Sequence, residues 1–182
     1  MSAGPGREEV GARLAPLVRD VPGFPEPGVV FKDIAPLLAD PGALRLATEG
    51  LAAAGPGADR VVGVEARGFI LGAPVALHLG AGFVPVRKKG KLPGATLEAA
   101  YALEYGEAVL QLQEDALVAG HRVLLVDDVL ATGGTVEAAV GLCARAGAEV
   151  VGVAVLLELP GLGGRERLER AAPGVPLHVL LP

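Results

Sequence analysis

Residues 123–135 read VLLVDDVLATGGT: an aliphatic run that ends in the adjacent carboxylates Asp127 and Asp128, then a turn of Ala131, Thr132, Gly133, Gly134 and Thr135. Glycines let a backbone turn tightly and approach a ligand closely. Successive N–H groups at the start of a following helix cradle an anion such as phosphate, helped by the helix dipole. The hydroxyls of Thr132 and Thr135 are placed to add hydrogen bonds. Two carboxylates beside such a pocket would repel the phosphate itself, so they face hydroxyls or a divalent cation. A sugar with a phosphate at one end and vicinal hydroxyls further along satisfies both halves, which makes this a pattern for a ribose 5-phosphate. Either aspartate alone would read as a helix cap or a polar turn; the whole string carries the reading. Two other phosphate signatures are absent: no G-x-x-x-x-G-K-[ST] occurs, and no G-x-G-x-x-G follows a strand.

The elements that must position these residues come from apolar patterning. Helices are predicted at Arg7–Leu14, at 43–54 behind an Asp40 N-cap and Pro41, at 68–79 despite Pro74, and at 135–146 before Gly147. Strands are predicted at 60–65, 82–86, 108–113, 122–127 and 150–157. The proline-rich stretch 20–41 reads as an ordered loop, and KKGKLPGATLEAAYALEYGE (88–107) as a long mobile loop. Strand–helix alternation with continuous apolar strands indicates an α/β fold, with helices flanking a mainly parallel central sheet. In such sheets ligands bind at the carboxyl ends of the strands, where the DDVLATGGT stretch falls.

At 182 residues the chain reads as a single domain, 1–182, with no internal repeat and no dividing linker. No apolar run is long enough to span a bilayer and the N-terminus has no signal-peptide core, so a cytoplasmic protein is expected, with no membrane partner. A net charge of −5 opposes broad nucleic-acid binding, and VRKKGK (86–91) is the one dense basic cluster. Cys143, the only cysteine, reads as a buried helix residue.

The stretch VLLVDDVLATGGT resembles the phosphoribosyl pyrophosphate motif of the type I phosphoribosyltransferases, and its ATGGT ending is similar to their adenine-specific branch. FPEPGVVFKDIAPLL (24–38), GVEARGFILG (63–72) and RKKGKLPG to YALEYG (87–106) resemble the same branch, in the expected order. The resemblance implies transfer of a 5-phosphoribosyl group from phosphoribosyl pyrophosphate to N9 of adenine, giving AMP and pyrophosphate. Mg²⁺ would accompany the donor near Asp127 and Asp128, with no tight protein-only site. It also implies a small N-terminal base-binding hood at about 1–36, a flexible lid at about 90–106, and a homodimer.

By the same resemblance Asp127 and Asp128 address the ribose hydroxyls and metal-bound water, and Ala131 through Thr135 hold the 5-phosphate. Glu65, Ala66, Arg67, Arg87, Lys88 and Lys91 meet the pyrophosphate, with the Ala66–Arg67 peptide expected to be cis. Arg67 would stabilise leaving-group charge as the C1–O bond breaks. Glu104 is the candidate general acid near adenine N7, and Tyr105 would cover the site when the lid excludes water. Val30, Phe31 and Lys32 form the base pocket, where Phe31 stacks on the purine and backbone groups read its 6-amino edge. Lys32 departs from the arginine of several similar proteins. His78, His121 and His178 lie on no matched motif. Two alternatives stand beside this reading: transfer to another base, and a non-catalytic sensor of the donor.

Overall fold

Val123 to Val126 have no exposed surface, and the strand that contains them, Arg122–Leu130, is buried over most of its length. Side chains alternate across a strand, and here the alternation feeds two cores. Val123 and Leu125 join one cluster, Leu124 and Val126 the other. Such a strand needs cover on both faces, which helices on either side of a parallel sheet provide.

The computed structural model describes residues 6–102 and 107–181. In chain order the elements are α1 (Arg7–Leu14), β1 (Arg19–Pro22), β2 (Val30–Asp33), α2 (Ala35–Ala39), α3 (Pro41–Ala52), β3 (Arg60–Val64), α4 (Arg67–Leu79) and β4 (Gly82–Lys88). There follow β5 (Thr96–Ala102), β6 (Glu107–Gln113), β7 (Arg122–Leu130), α5 (Gly134–Arg145), β8 (Glu149–Glu158), α6 (Gly164–Ala171) and β9 (Leu177–Leu181). The main sheet has the order β5-β6-β4-β3-β7-β8-β9, parallel from β4 through β9 and antiparallel at the β5–β6 edge. The core formed with α1, α3 and α4 lies on one face, and the core formed with α5 and α6 on the other. No helix among the described residues is long and apolar enough to cross a membrane.

Local signals explain several boundaries. Asp40 caps α3 by accepting the Ala43 N–H at 2.8 Å, with Pro41 in the first helical position. Gly80, in the left-handed region at φ 66°, ends α4.

Two stretches expected to be loops are ordered elements instead. Within 20–41, β1 and β2 pair as an antiparallel hairpin, fixed by cross-strand ion pairs Arg19–Asp33 at 2.5 Å and Lys32–Asp20 at 2.7 Å. Its prolines do not interrupt the pairing: Pro25 and Pro27 lie in the connection, Pro22 ends β1, and Pro36 sits in the first turn of α2. Within 88–107, the stretch 96–102 is a strand, β5, pairing along its whole length with β6. Its inward positions Leu97, Ala99 and Tyr101 alternate with the more exposed Glu98 and Ala100. Alanine on both faces hides that period in the sequence. The prediction of secondary structure also stopped short of α6 and β9.

Candidate active site

Asp127 and Asp128 lie near the carboxyl end of β7, only 7% and 5% exposed. The start of α4 comes down onto them because Gly68 has no side chain: a Cβ there would stand 2.9 Å from Asp127 Oδ1 and 3.0 Å from Val126 O. Asp127 Oδ1 accepts the Asp128 N–H at 2.8 Å. Burial pushes the Asp127 carboxyl well above the usual carboxylate range, and the charge of Asp128 adds to the rise. Burial also raises Asp128, against the opposing pull of Arg67.

Arg67 Nη2 lies 2.6 Å from Asp128 Oδ2, close enough for an ion pair. The alignment is not that of a hydrogen bond, and Oδ2 is buried without a hydrogen-bond donor among the described residues. A buried, under-satisfied carboxylate oxygen beside a second acidic group suits ligand hydroxyls or water held by a divalent cation. Among the described residues, no group of three or more His, Cys, Asp or Glu side chains is arranged to hold a metal by itself.

The turn after β7 is built for close backbone approach. Gly133 is the N-cap of α5 at φ 79°, and a Cβ on it would meet Gly164 O at 2.8 Å. Gly164 is equally constrained, since its own Cβ would fall 2.3 Å from Ala131 O. Helix α6 therefore forms the back wall of the turn, and the Arg167–Glu137 ion pair at 2.5 Å ties it to α5. Gly134 opens α5 and is buried, and the N–H groups of the first helical turn have no partner within the helix. The signal for this support was present in GLGGRERLERA, where paired glycines precede a strongly amphipathic charged segment.

On the β3 side the non-proline cis peptide is Glu65–Ala66, one bond earlier than the expected Ala66–Arg67. Phe24–Pro25 is also cis. The Glu65 side chain is 8% exposed and accepts from Lys91 Nζ at 2.6 Å, Arg87 Nε at 3.0 Å and the Lys88 N–H at 3.1 Å. Burial alone would raise this carboxyl; Lys91, the Lys88 N–H and Arg87 together outweigh it and hold Glu65 below its ordinary range.

A second guanidinium nitrogen of Arg67, Nη1, donates to Lys32 O at 3.2 Å, and its Cζ stands 4.8 Å from the centre of the Phe31 ring. Phe24 packs edge-on against Phe31 at 5.2 Å. Arg67 thus bridges the hairpin to the acidic pair. The Lys32 ammonium is committed to Asp20, so its backbone and not its side chain meets Arg67.

A cavity of about 370 Å³ gathers Glu65, Ala66, Arg67, Lys88, Asp127, Asp128, Ala131, Thr132, Gly133 and Thr135 into one lining. Tyr101 and Leu110, which sequence reasoning did not select, close it from the β5–β6 hairpin. Arg87, Lys91, Val30, Phe31 and Lys32 stand outside this lining. Glu65 connects the first two to it, and Arg67 connects Phe31 and Lys32; Val30 is half-exposed on β2. Glu104 and Tyr105 lie outside the described residues. A larger cavity, about 660 Å³, lies between α1, β9 and the end of β8, and two ion pairs, Asp20–Lys32 and Glu158–Arg165, are among its lining.

Residues 43–171 match the phosphoribosyl transferase domain. The chain is 67% identical to an adenine phosphoribosyltransferase of Streptomyces coelicolor over 166 residues, which cover 90% of this chain and 91% of that one. The crystal structure of adenine phosphoribosyltransferase from Rhodothermus marinus superimposes with a TM-score of 0.88 at 53% identity, covering 94% and 97% of the two chains. That of the Saccharomyces cerevisiae enzyme, complexed with adenine and an iminoaltritol bisphosphate, gives 0.87 at 38% identity, covering 94% and 98%. A glycine turn backed by α6, a buried acidic pair and an arginine reaching the hairpin thus occur in a chain that belongs to the adenine phosphoribosyltransferase family.

Proposed function

We propose that this enzyme transfers the 5-phosphoribosyl group of phosphoribosyl pyrophosphate to N9 of adenine, releasing AMP and pyrophosphate in purine salvage. The observation that carries the reading is that Ala131, Thr132, Gly133, Thr135, the acidic pair and Arg67 line one cavity. The yeast relative's complex with adenine supports the choice of base.

In this reading the N–H groups from Ala131 to Thr135 hold the 5-phosphate at the positive end of α5. Asp127 and Asp128 fix the ribose hydroxyls, which sets the C1 carbon between the two substrates. Arg67 and Lys88 face the charge that grows on pyrophosphate as the C1–O bond lengthens. Phe31 offers its face to the purine, and the backbone of Lys32 reads the 6-amino edge. With its ammonium held by Asp20, lysine at this position leaves that backbone recognition intact. Glu104, the acid at N7 in the reverse direction, accepts the N7 proton as N9 bonds to C1, and Tyr105 helps exclude water from an oxocarbenium-like transition state. Asp127 and Asp128 would hold the water ligands of a Mg²⁺ ion bound with the donor, which would supply neutralisation of the pyrophosphate charge.

The enzyme works as a homodimer in the cytoplasm. Ile70 and Leu77 support the dimer: they are 47% and 83% exposed on α4 and leave an apolar stripe for a second copy to cover.

Pyrophosphate release with the donor and Mg²⁺ tests the assignment, comparing adenine, hypoxanthine, guanine, xanthine and orotate. Release with adenine alone is expected. Release with another base would overturn the specificity, and donor binding without release would make the chain a sensor.

A further inference from the structure

The Glu65 carboxylate is saturated by groups of the basic segment at the end of β4. Lys91 Nζ reaches Oε1 at 2.6 Å, while Arg87 Nε and the Lys88 N–H reach Oε2 at 3.0 and 3.1 Å. Arg87 Nη1 also donates to Lys91 O at 3.1 Å, which folds the segment back on itself. Arg87, Lys88 and Lys91 are, with Arg67, the basic residues that the family resemblance gives to pyrophosphate. Two of its expected cations are therefore already neutralised, and Arg67 is engaged with Asp128. Only the Lys88 ammonium, on the cavity lining, has no ion-pair partner among the described residues.

A ligand gains only the difference between its own contacts and those it displaces. For Arg87 and Lys91 the displaced contact is a nearly buried carboxylate, a stronger competitor than water. A single carboxylate against two cations also leaves a net positive segment, so a polyanion can still win. We propose that Glu65 is a built-in competitor of pyrophosphate. It holds Arg87 and Lys91 in place in the free enzyme and takes them back as pyrophosphate leaves, which weakens product binding and speeds release. Glu65 is then a positioning and release residue, not a ligand of the product. This deepens the proposed function and rests on it.

The test is calorimetric titration of wild type and Glu65→Gln with inorganic pyrophosphate and Mg²⁺. Gln keeps the acceptor for the Lys88 N–H and removes the charge. The variant should bind pyrophosphate at least fivefold more tightly, with product inhibition strengthened in the same proportion and kcat lowered as release slows. Equal or weaker binding overturns the inference. If Glu65→Gln does not fold, Lys91→Met and Lys88→Met, both at exposed positions, decide the matter. Lys91 must give up Glu65 before it can bind pyrophosphate and Lys88 need not, so Lys91→Met should cost at least threefold less affinity than Lys88→Met. An equal or larger loss overturns the inference. Wild type that binds no pyrophosphate at all would remove the proposed function itself, a result distinct from wild type and variant binding alike.

Discussion

Arg67 stands 2.6 Å from Asp128 Oδ2 with one nitrogen and 3.2 Å from Lys32 O with another. The same side chain stabilises the buried acid, lies over one face of the Phe31 ring and ties the β1–β2 hairpin to the sheet. Arg67→Ala should lower kcat/KM by about 10²–10³, the range for losing one preorganised charge donor. It should also speed amide hydrogen exchange in 19–33, because the hairpin loses its tether. Steady-state kinetics with exchange mass spectrometry checks both. Lost activity with unchanged exchange would separate the catalytic contact from the structural one.

Asp127 gives a pH dependence of known sign. Its carboxyl is raised in the folded chain, so the folded state holds the proton more tightly than the unfolded state. The stability this proton contributes is complete below the ordinary carboxylate range and is lost as pH rises through the raised value. Asp127→Asn retains the acceptor for the Asp128 N–H and should flatten that part of the ligand-free stability profile. At pH 7.5 a gain of about 1 kcal/mol corresponds to ~2–4 °C in Tm for a chain of this size. Mg²⁺-dependent donor binding should fall at least tenfold in the same variant. Thermal scans from pH 5 to 8 and donor calorimetry measure the two effects.

Gly133 combines a left-handed φ of 79° with the 2.8 Å approach of Gly164 O. Gly133→Ala adds backbone strain of about 1–2 kcal/mol to overpacking of about 1–3 kcal/mol. Part of this would relax through movement of α6, so a loss of ~2–4 kcal/mol in chemical denaturation is expected, with donor affinity falling as the turn shifts. A variant as stable as wild type would show that the turn is not clamped by α6.

Cys143 is fully buried in α5, and burial pushes its thiol up to about 12. Stability that the neutral thiol contributes is complete below the ordinary thiol pKa near 9.0 and declines as pH rises from there toward about 12. Near pH 8 an aromatic disulfide reagent should label the native protein only as fast as it opens, and the denatured protein within seconds. Rapid native labelling would place this part of α5 nearer the surface.

The central strands, the capped helix at Asp40 and the turn at Gly133 were legible because each rests on a local rule: apolar continuity, a cap, a glycine pair. The β5 strand was not, because alanine occupies both its faces and removes the contrast on which a period depends. The β1–β2 hairpin was masked by prolines, of which Pro22 takes only the last paired position and Pro25 and Pro27 lie in the connection. Resemblance supplied candidate residues for the site but not their partners. Nothing in GVEARGF tells that Glu65 gathers Arg87 and Lys91, since that contact forms only when β3 and β4 lie side by side.

The clamp on the turn also imposes an order in time. A ribosome makes β7 and its acidic pair well before Gly163–Gly164, so an emerging chain carries the 131–135 turn without its back wall. Helix α1 has a partner made long after it: Gly11 lies against Leu180 O of β9, where a Cβ would approach to 2.8 Å. Val10 and Leu14 share a core with Leu180 and Leu181. The nascent protein therefore holds the wall of the 131–135 turn unfinished until α6 is made, and the anchor of α1 unfinished until β9 is made.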